Sequence, residues 1–352
     1  MEDTVRVAVV GAGFMGRAHA RVLSRIGEEL PGSIELSYIV DTLYDNALLA
    51  SRKFGGKPVK SVDEIEGNSV DFAVIAIPTS LHMQVFEQLV NKGVNGFLIE
   101  KPLTNTISSS ARLADIAGDM DLWVSVGHIE RFNPAVQSFH RRLGRGELGK
   151  VLTYLARRVG PYTPRVADVD VVYDLGVHET DNVLTVFKSL PSRVRSYTIK
   201  GLVSGLTDHS LGIFSYADRG FASIEVNRIT PFKLRIMYLT TTKGVVFLDY
   251  MKQELKLYKG DEETSVNVKK EEPLYLEDLE TIKRYMEKKD PPVDVYQAIA
   301  SVYLCDKILE STESDKEIVI EESPDYQDLK DYLNRGLIGY NNYINGLSAK
   351  FP

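Results

Sequence analysis

The chain has 352 residues, 43% of them hydrophobic and 26% charged, which is the balance of a globular protein and exceeds the usual length of one domain. Its formal net charge of -7 gives no overall attraction to nucleic acid or anionic lipid, and its single cysteine, Cys305, rules out an intrachain disulfide and a cysteine-built zinc site. No apolar run approaches membrane-spanning length, and Met1-Glu2-Asp3 leads into a strand pattern without a signal peptide's basic flank and cleavage site, so a cytoplasmic protein is expected.

Val5–Val10 is rich in β-branched residues, as in a strand buried on both faces of a parallel sheet. Gly11, Gly13 and Gly16 follow within the run GAGFMG, and a helical pattern covers residues 15–26. Strands are predicted at residues 34–40, 72–77, 97–99 and 123–126, with helices at 42–53 and 81–91. This alternation implies right-handed crossovers onto a mostly parallel sheet with helices on both faces. A doubly wound, Rossmann-type α/β domain is therefore expected over residues 1–127.

Beyond Gly127 the rhythm changes. A helix at residues 134–142 precedes strands at 151–159, 193–200, 209–216, 221–228, 234–240 and 244–249, which read as a large, open, mainly antiparallel sheet. Phe221, Ser223 and Glu225 alternate with Ala222, Ile224 and Val226, so one face is buried and the other is left for a partner. Self-association into a homodimer or homotetramer through that face is the expectation. Helices at 275–287 and 295–313 and a polar, tyrosine-containing tail complete an α+β domain of residues 128–352, assigned to substrate binding and oligomerisation.

Chemistry concentrates at the ends of the first strands. Glycines between a strand and a helix permit a tight turn and let backbone amides approach a pyrophosphate at the helix amino terminus. Asp41 follows about 25 residues later, where an acidic side chain accepts hydrogen bonds from a ribose and repels the 2'-phosphate of NADP, so NAD is the expected cofactor. Asp41 or Thr42 could equally cap the next helix. Ile77-Pro78-Thr79 and Glu100-Lys101-Pro102 stand at the carboxyl ends of later strands, where ligands bind in such sheets. Asp174 and His178 are four apart at the start of a predicted helix, residues 174–186, and would share a face; the alternative is an amino-terminal cap and a structural histidine. No metal is required.

With GAGFMG, Glu100-Lys101-Pro102 and Asp174-Leu175-Gly176-Val177-His178 in this order, the chain resembles the glucose–fructose oxidoreductase, inositol dehydrogenase and rhizopine-catabolism (Gfo/Idh/MocA) family over nearly its whole length. The resemblance implies a sugar or cyclitol carbinol held by Lys101, Asp174 and His178 against the nicotinamide, with His178 or Lys101 as general base. It implies cofactor contacts from the Gly11-to-Gly16 loop with Phe14 and Met15, and from Asp41, Pro78, Thr79, Glu100 and Lys101. His82 is similar to a family position near the cofactor, with helix capping or packing as its alternative.

The segment from Gly127 and His128 to Pro134 is similar to one in the family's UDP-N-acetylglucosamine 3-dehydrogenases, which implies a nucleotide sugar oxidised at its 3-hydroxyl. Glu130, where inositol-type members often carry a basic residue, points the same way. Arg157, Arg158 and Arg165, around a loop with Tyr162, are candidates to clamp the diphosphate, with Tyr162 stacking on uracil; the alternative is pairing with Asp168 and Asp170. Competing readings are a dehydrogenase of free sugar or inositol, a sensor that binds the cofactor without turnover, and a glycosidase that returns the hydride.

Overall fold

The first segment forms β1 (Val5–Val10), α1 (Phe14–Glu29), β2 (Ile34–Val40), α2 (Tyr44–Phe54), β3 (Lys57–Val59), β4 (Phe72–Ile75), α3 (His82–Asn91), β5 (Gly96–Glu100), α4 (Ile107–Asp119) and β6 (Trp123–Gly127). Six strands pair in the order β3-β2-β1-β4-β5-β6, all parallel, so the doubly wound sheet stands as expected. Chain order reverses between β1 and β4, and a sheet of this kind binds its ligand at that switch point. Val7, Val9, Phe72, Val74 and Leu98 fill its core with Leu23 and Ile26 of α1.

The chain continues through α5 (Pro134–Gly144), β7 (Val151–Pro161), a π-helical turn (Val172–Gly176), α6 (Val177–Phe187), β8 (Arg193–Lys200), β9 (Thr207–Tyr216) and β10 (Gly220–Asn227). It then forms β11 (Ile229–Thr241), β12 (Gly244–Asp249), β13 (Glu254–Lys259), β14 (Glu262–Val266), α7 (Pro273–Met286), α8 (Val295–Ser314), β15 (Ile318–Val319) and α9 (Tyr326–Ala349). Nine strands order as β14-β13-β12-β11-β7-β10-β9-β8-β15. Neighbours are antiparallel except β7 and β10, which run parallel. A parallel pair needs a long crossover, and the connection carrying α6 supplies it. In β10, Ala222, Ile224 and Val226 are buried while Phe221 is exposed, the alternation read from the sequence.

This computed structural model describes residues 4–163, 169–217 and 220–349 and divides into two compact units. The first is Met1–Ile129 with Glu272–Val295, and the second Glu130–Glu271 with Tyr296–Pro352. The division differs from a single boundary at residue 127, because α7 returns to the first sheet. Leu274 and Ile282 of α7 join that core, and Tyr285 packs edge-on against Phe72 at 5.1 Å between ring centres. Among the described residues, no helix is long and apolar enough to cross a membrane.

Candidate active site

Gly11 adopts φ +97°, and a Cβ there would lie 2.3 Å from the Ala76 carbonyl oxygen; one on Gly16 would lie 1.6 Å from that of Gly11. Both positions exclude any side chain, which locks α1 against the end of β1. Gly13 is different: a Cβ there meets nothing within 4 Å, so its backbone faces open space at the start of α1. No side-chain hydrogen bond caps that helix at Gly13, and a helix amino terminus that opens on a glycine loop suits a dinucleotide pyrophosphate. Phe14 is exposed and Met15 half-buried beside them.

Asp41 follows β2 and closes the loop. Its Oδ2 accepts the Ala12 amide at 2.8 Å and its Oδ1 the Leu43 amide at 2.8 Å. A carboxylate has about four lone-pair sites, so both oxygens retain capacity for ribose hydroxyls. The cap position of α2 is Leu43, so Asp41 braces the turn before the helix and Thr42 is not the cap. The residues present therefore fit NAD.

Pro78 is exposed and Thr79 buried at the turn after β4. His82 opens α3 fully buried, with Nε2 3.0 Å from the Ile77 carbonyl and Nδ1 3.1 Å from that of Leu103. It staples the turn after β4 to the segment after Lys101-Pro102, and burial pushes its pKa down. This is the packing alternative, realised at the strand ends.

Glu100 ends β5, and Lys101 follows it half-buried. Glu100 Oε2 accepts the Lys101 amide at 3.2 Å, and Oε1 accepts from His19 Nε2 at 2.9 Å. His19 Nδ1 donates in turn to Asp278 of α7 at 2.9 Å, so one imidazolium bridges two buried carboxylates. Burial opposes its charge, but Asp278 and then Glu100 outweigh burial and hold its pKa well above the ordinary histidine value. Burial likewise pushes Glu100 up, and His19 with Lys101 brings it below the usual range. Sequence reasoning missed His19 and Asp278. A histidine between Ala18 and Ala20 on the buried face of α1 was the available signal.

Asp174 lies in the π-helical turn and His178, buried, in the first turn of α6. The predicted helix 174–186 is therefore α-helical only from Val177, and Asp174 is not its cap. Asp170 Oδ1 accepts the Val172 amide at 3.0 Å instead, and its Oδ2 the Thr207 amide at 3.1 Å. Insertions of this π type recur at functional sites.

Arg158 does not fit the expected phosphate clamp. It is 1% exposed, its Nε donates to Glu179 at 2.8 Å, its Nη1 donates to Glu130 at 2.9 Å, and its guanidinium lies 5.0 Å from the Tyr250 ring centre. Strand alternation turns Arg158 inward and Arg157 outward, where Arg157 pairs with Glu225 at 2.6 Å; neither pairs with Asp170. Arg165 and Asp168 lie outside the described residues. Tyr162 sits half-buried just past β7, and His128 is buried just past β6. Glu130 and Arg131 form internal pairs, Glu130 with Arg158 at 2.9 Å and Arg131 Nε donating to Asp181 at 2.8 Å.

A family model described as "Oxidoreductase family, NAD-binding Rossmann fold" matches residues 5–128. A UDP-N-acetylglucosamine 3-dehydrogenase of Acidithiobacillus ferrooxidans is 28% identical over 255 residues, 72% of this chain and 77% of that protein. Inositol 2-dehydrogenase 4 of Saccharopolyspora erythraea is 29% identical over 233 residues, 63% of this chain and 66% of its own length. The solved structure of the Acidithiobacillus enzyme has a TM-score of 0.79 with this one, covering 88% of this chain and 98% of that chain at 24% identity, a likeness of fold. The glycine loop with Asp41 and the Glu100-Lys101-Pro102 turn thus lie in a segment, residues 5–128, that matches an NAD-binding Rossmann domain of the oxidoreductase family, and the chain as a whole is similar to dehydrogenases of sugars and inositols.

Proposed function

We propose that this protein oxidises a secondary hydroxyl of a sugar ring, specifically the 3-hydroxyl of UDP-N-acetylglucosamine. The likeness to a UDP-N-acetylglucosamine 3-dehydrogenase across 72% of the chain carries the reading, and it extends past the cofactor domain. NAD, when bound, supplies the hydride acceptor. His178 takes the proton from the hydroxyl oxygen, since imidazole is the side chain that ordinarily titrates near neutrality. Asp174 orients the hydroxyl, and Lys101 stabilises the charge that develops on its oxygen. Lys101 is the alternative base. We place the reaction in the cytoplasm, in a homodimer or homotetramer.

A free sugar or inositol is the second reading. The internal commitment of Arg158 favours it, because an expected phosphate ligand is removed. Reduced-nicotinamide absorbance, followed with NAD and UDP-N-acetylglucosamine, N-acetylglucosamine or inositol, separates the two. We expect a signal with the nucleotide sugar alone, lost in Lys101→Ala and His178→Ala, with an added aminotransferase to draw off the keto product if equilibrium opposes the reaction. A signal confined to neutral substrates would overturn the proposal in favour of the second reading.

A further inference from the structure

We infer that Arg235, on the inward face of the second sheet, is the receptor for an anionic group carried by the sugar substrate. The inference rests on the sugar-dehydrogenase reading and specifies what its substrate must carry.

In β11, Arg235, Met237 and Leu239 alternate onto one face, and Met237 and Leu239 are buried there. Their partners across the ladder in β7 are Arg158, Ala156 and Tyr154, so two arginines stand directly opposite each other on the inward face. Like charges so placed destabilise a sheet unless something lies between or beside them.

The two arginines have different fates. Arg158 is paired through Nε with Glu179 and through Nη1 with Glu130, and Glu179 Oε2 also accepts from the hydroxyls of Tyr154 at 2.7 Å and Tyr250 at 3.2 Å. Arg235 is half-buried, and its side chain has no ion pair and no hydrogen bond among the described residues. Nη2 of Arg158, which neither glutamate takes, is also buried without a partner among them. Glu130 and Glu179 touch Arg158 directly and act on Arg235 only through their charge.

The charge on Arg158 is the largest influence on Arg235 and pushes its pKa down, burial adds to this, and Glu130, Asp174 and Glu179 only partly offset it. The same balance places Arg235 within the electrostatic reach of Asp174, a candidate catalytic side chain. A half-buried guanidinium suits a bidentate oxyanion, either the phosphate of a sugar nucleotide or the carboxylate of a uronic acid. Strand register, not sequence proximity, puts the receptor there, which is why the arginines near residue 160 drew attention first.

Calorimetric titration of the NAD-loaded protein tests this with UDP, UDP-N-acetylglucosamine, glucuronate and neutral N-acetylglucosamine as probes. Arg235→Gln is expected to weaken whichever anionic probe the wild type binds by about 10–100-fold, leaving neutral sugar binding and NAD affinity unchanged, with Arg235→Lys intermediate. Unchanged NAD affinity and thermal midpoint show that the variants are folded. Wild-type binding of glucuronate but of neither uridine ligand, lost in Arg235→Gln, supports the receptor and overturns the nucleotide-sugar reading. Tight UDP-N-acetylglucosamine binding that Arg235→Gln leaves intact overturns the receptor and spares that reading. Binding of neutral sugar alone by the wild type overturns both.

Discussion

His19 and His140 are both fully buried, yet their surroundings push them in opposite directions. Burial and the Arg131 charge push His140 down to about 3, whereas Asp278 and Glu100 hold His19 protonated well above the ordinary value. Because the folded value of His19 is raised, its stabilising proton is fully present below the unfolded value of roughly 6.5 and is lost as pH rises through the folded one. The thermal midpoint is therefore expected to fall as that proton leaves above neutrality, with a linked slope of up to about 1.4 kcal/mol per pH unit. Ring resonances from histidine NMR, with His19 assigned through His19→Gln, check the order: a His19 resonance titrating at or below the unperturbed value of about 6.5 would defeat it. At this scale the sequence was legible where structure is local. The glycine loop, Asp41 and Lys101 depend on neighbours in one βα turn. His19 answers to Asp278, 259 residues away, and Arg158 to carboxylates whose approach depends on which way β7 turns its side chains.

Asp170 controls how the segment bearing Asp174 is presented. Its two carboxylate oxygens hold the Val172 amide and the Thr207 amide of β9, tying the π-helical turn to the sheet. Asp170→Ala is expected to lower stability by about 1–2 kcal/mol, in the range of a lost helix cap, and to reduce kcat while NAD affinity stays unchanged. Steady-state kinetics with calorimetric NAD binding reads this, and an unaltered kcat would show that Asp174 is presented without help from Asp170. Long, strongly patterned elements such as β2, β8 and β12 were legible to the residue. Those missed carry weak patterns: β3 is short and contains Pro58, and serines dilute the apolar face of α4. In α9, the polar tail of the sequence reading, Leu329, Leu333, Tyr340 and Ile344 are buried on a 24-residue helix, but tyrosines and asparagines between them mask the period.

The outer face of the second sheet carries Leu155, Tyr197, Ile199, Phe221 and Tyr238, all exposed. Leu155 and Tyr238 are directly paired across β7 and β11, and the Tyr238 and Phe247 rings lie 5.0 Å apart. Exposed apolar side chains on an open sheet, here interrupted by the Arg157–Glu225 pair, are the expected surface of self-association. Light scattering should find a dimer or tetramer for the wild type and a smaller species for Leu155→Glu with Tyr238→Glu; a monomeric wild type at micromolar concentration would remove the basis for it. The change of rhythm after Gly127 made the passage from a parallel to a mainly antiparallel sheet legible, whereas the return of α7 was not, because its helical pattern says nothing of which sheet it will cover.

That return bears on how the protein is made. The cofactor-binding unit starts first on the ribosome, but Asp278, which completes the buried charge cluster around His19 and Glu100, follows β14 in the chain. Until the segment Glu272–Val295 emerges, an isolated residue 1–129 fragment would hold a buried histidine short of one carboxylate and a core short of Leu274 and Ile282. Domains usually fold in order of synthesis, amino terminus first. Here the amino-terminal unit is finished only after the strands of the other unit up to β14 have been translated, so a nascent chain stalled between them would still lack Asp278 beside His19 and the core residues Leu274 and Ile282.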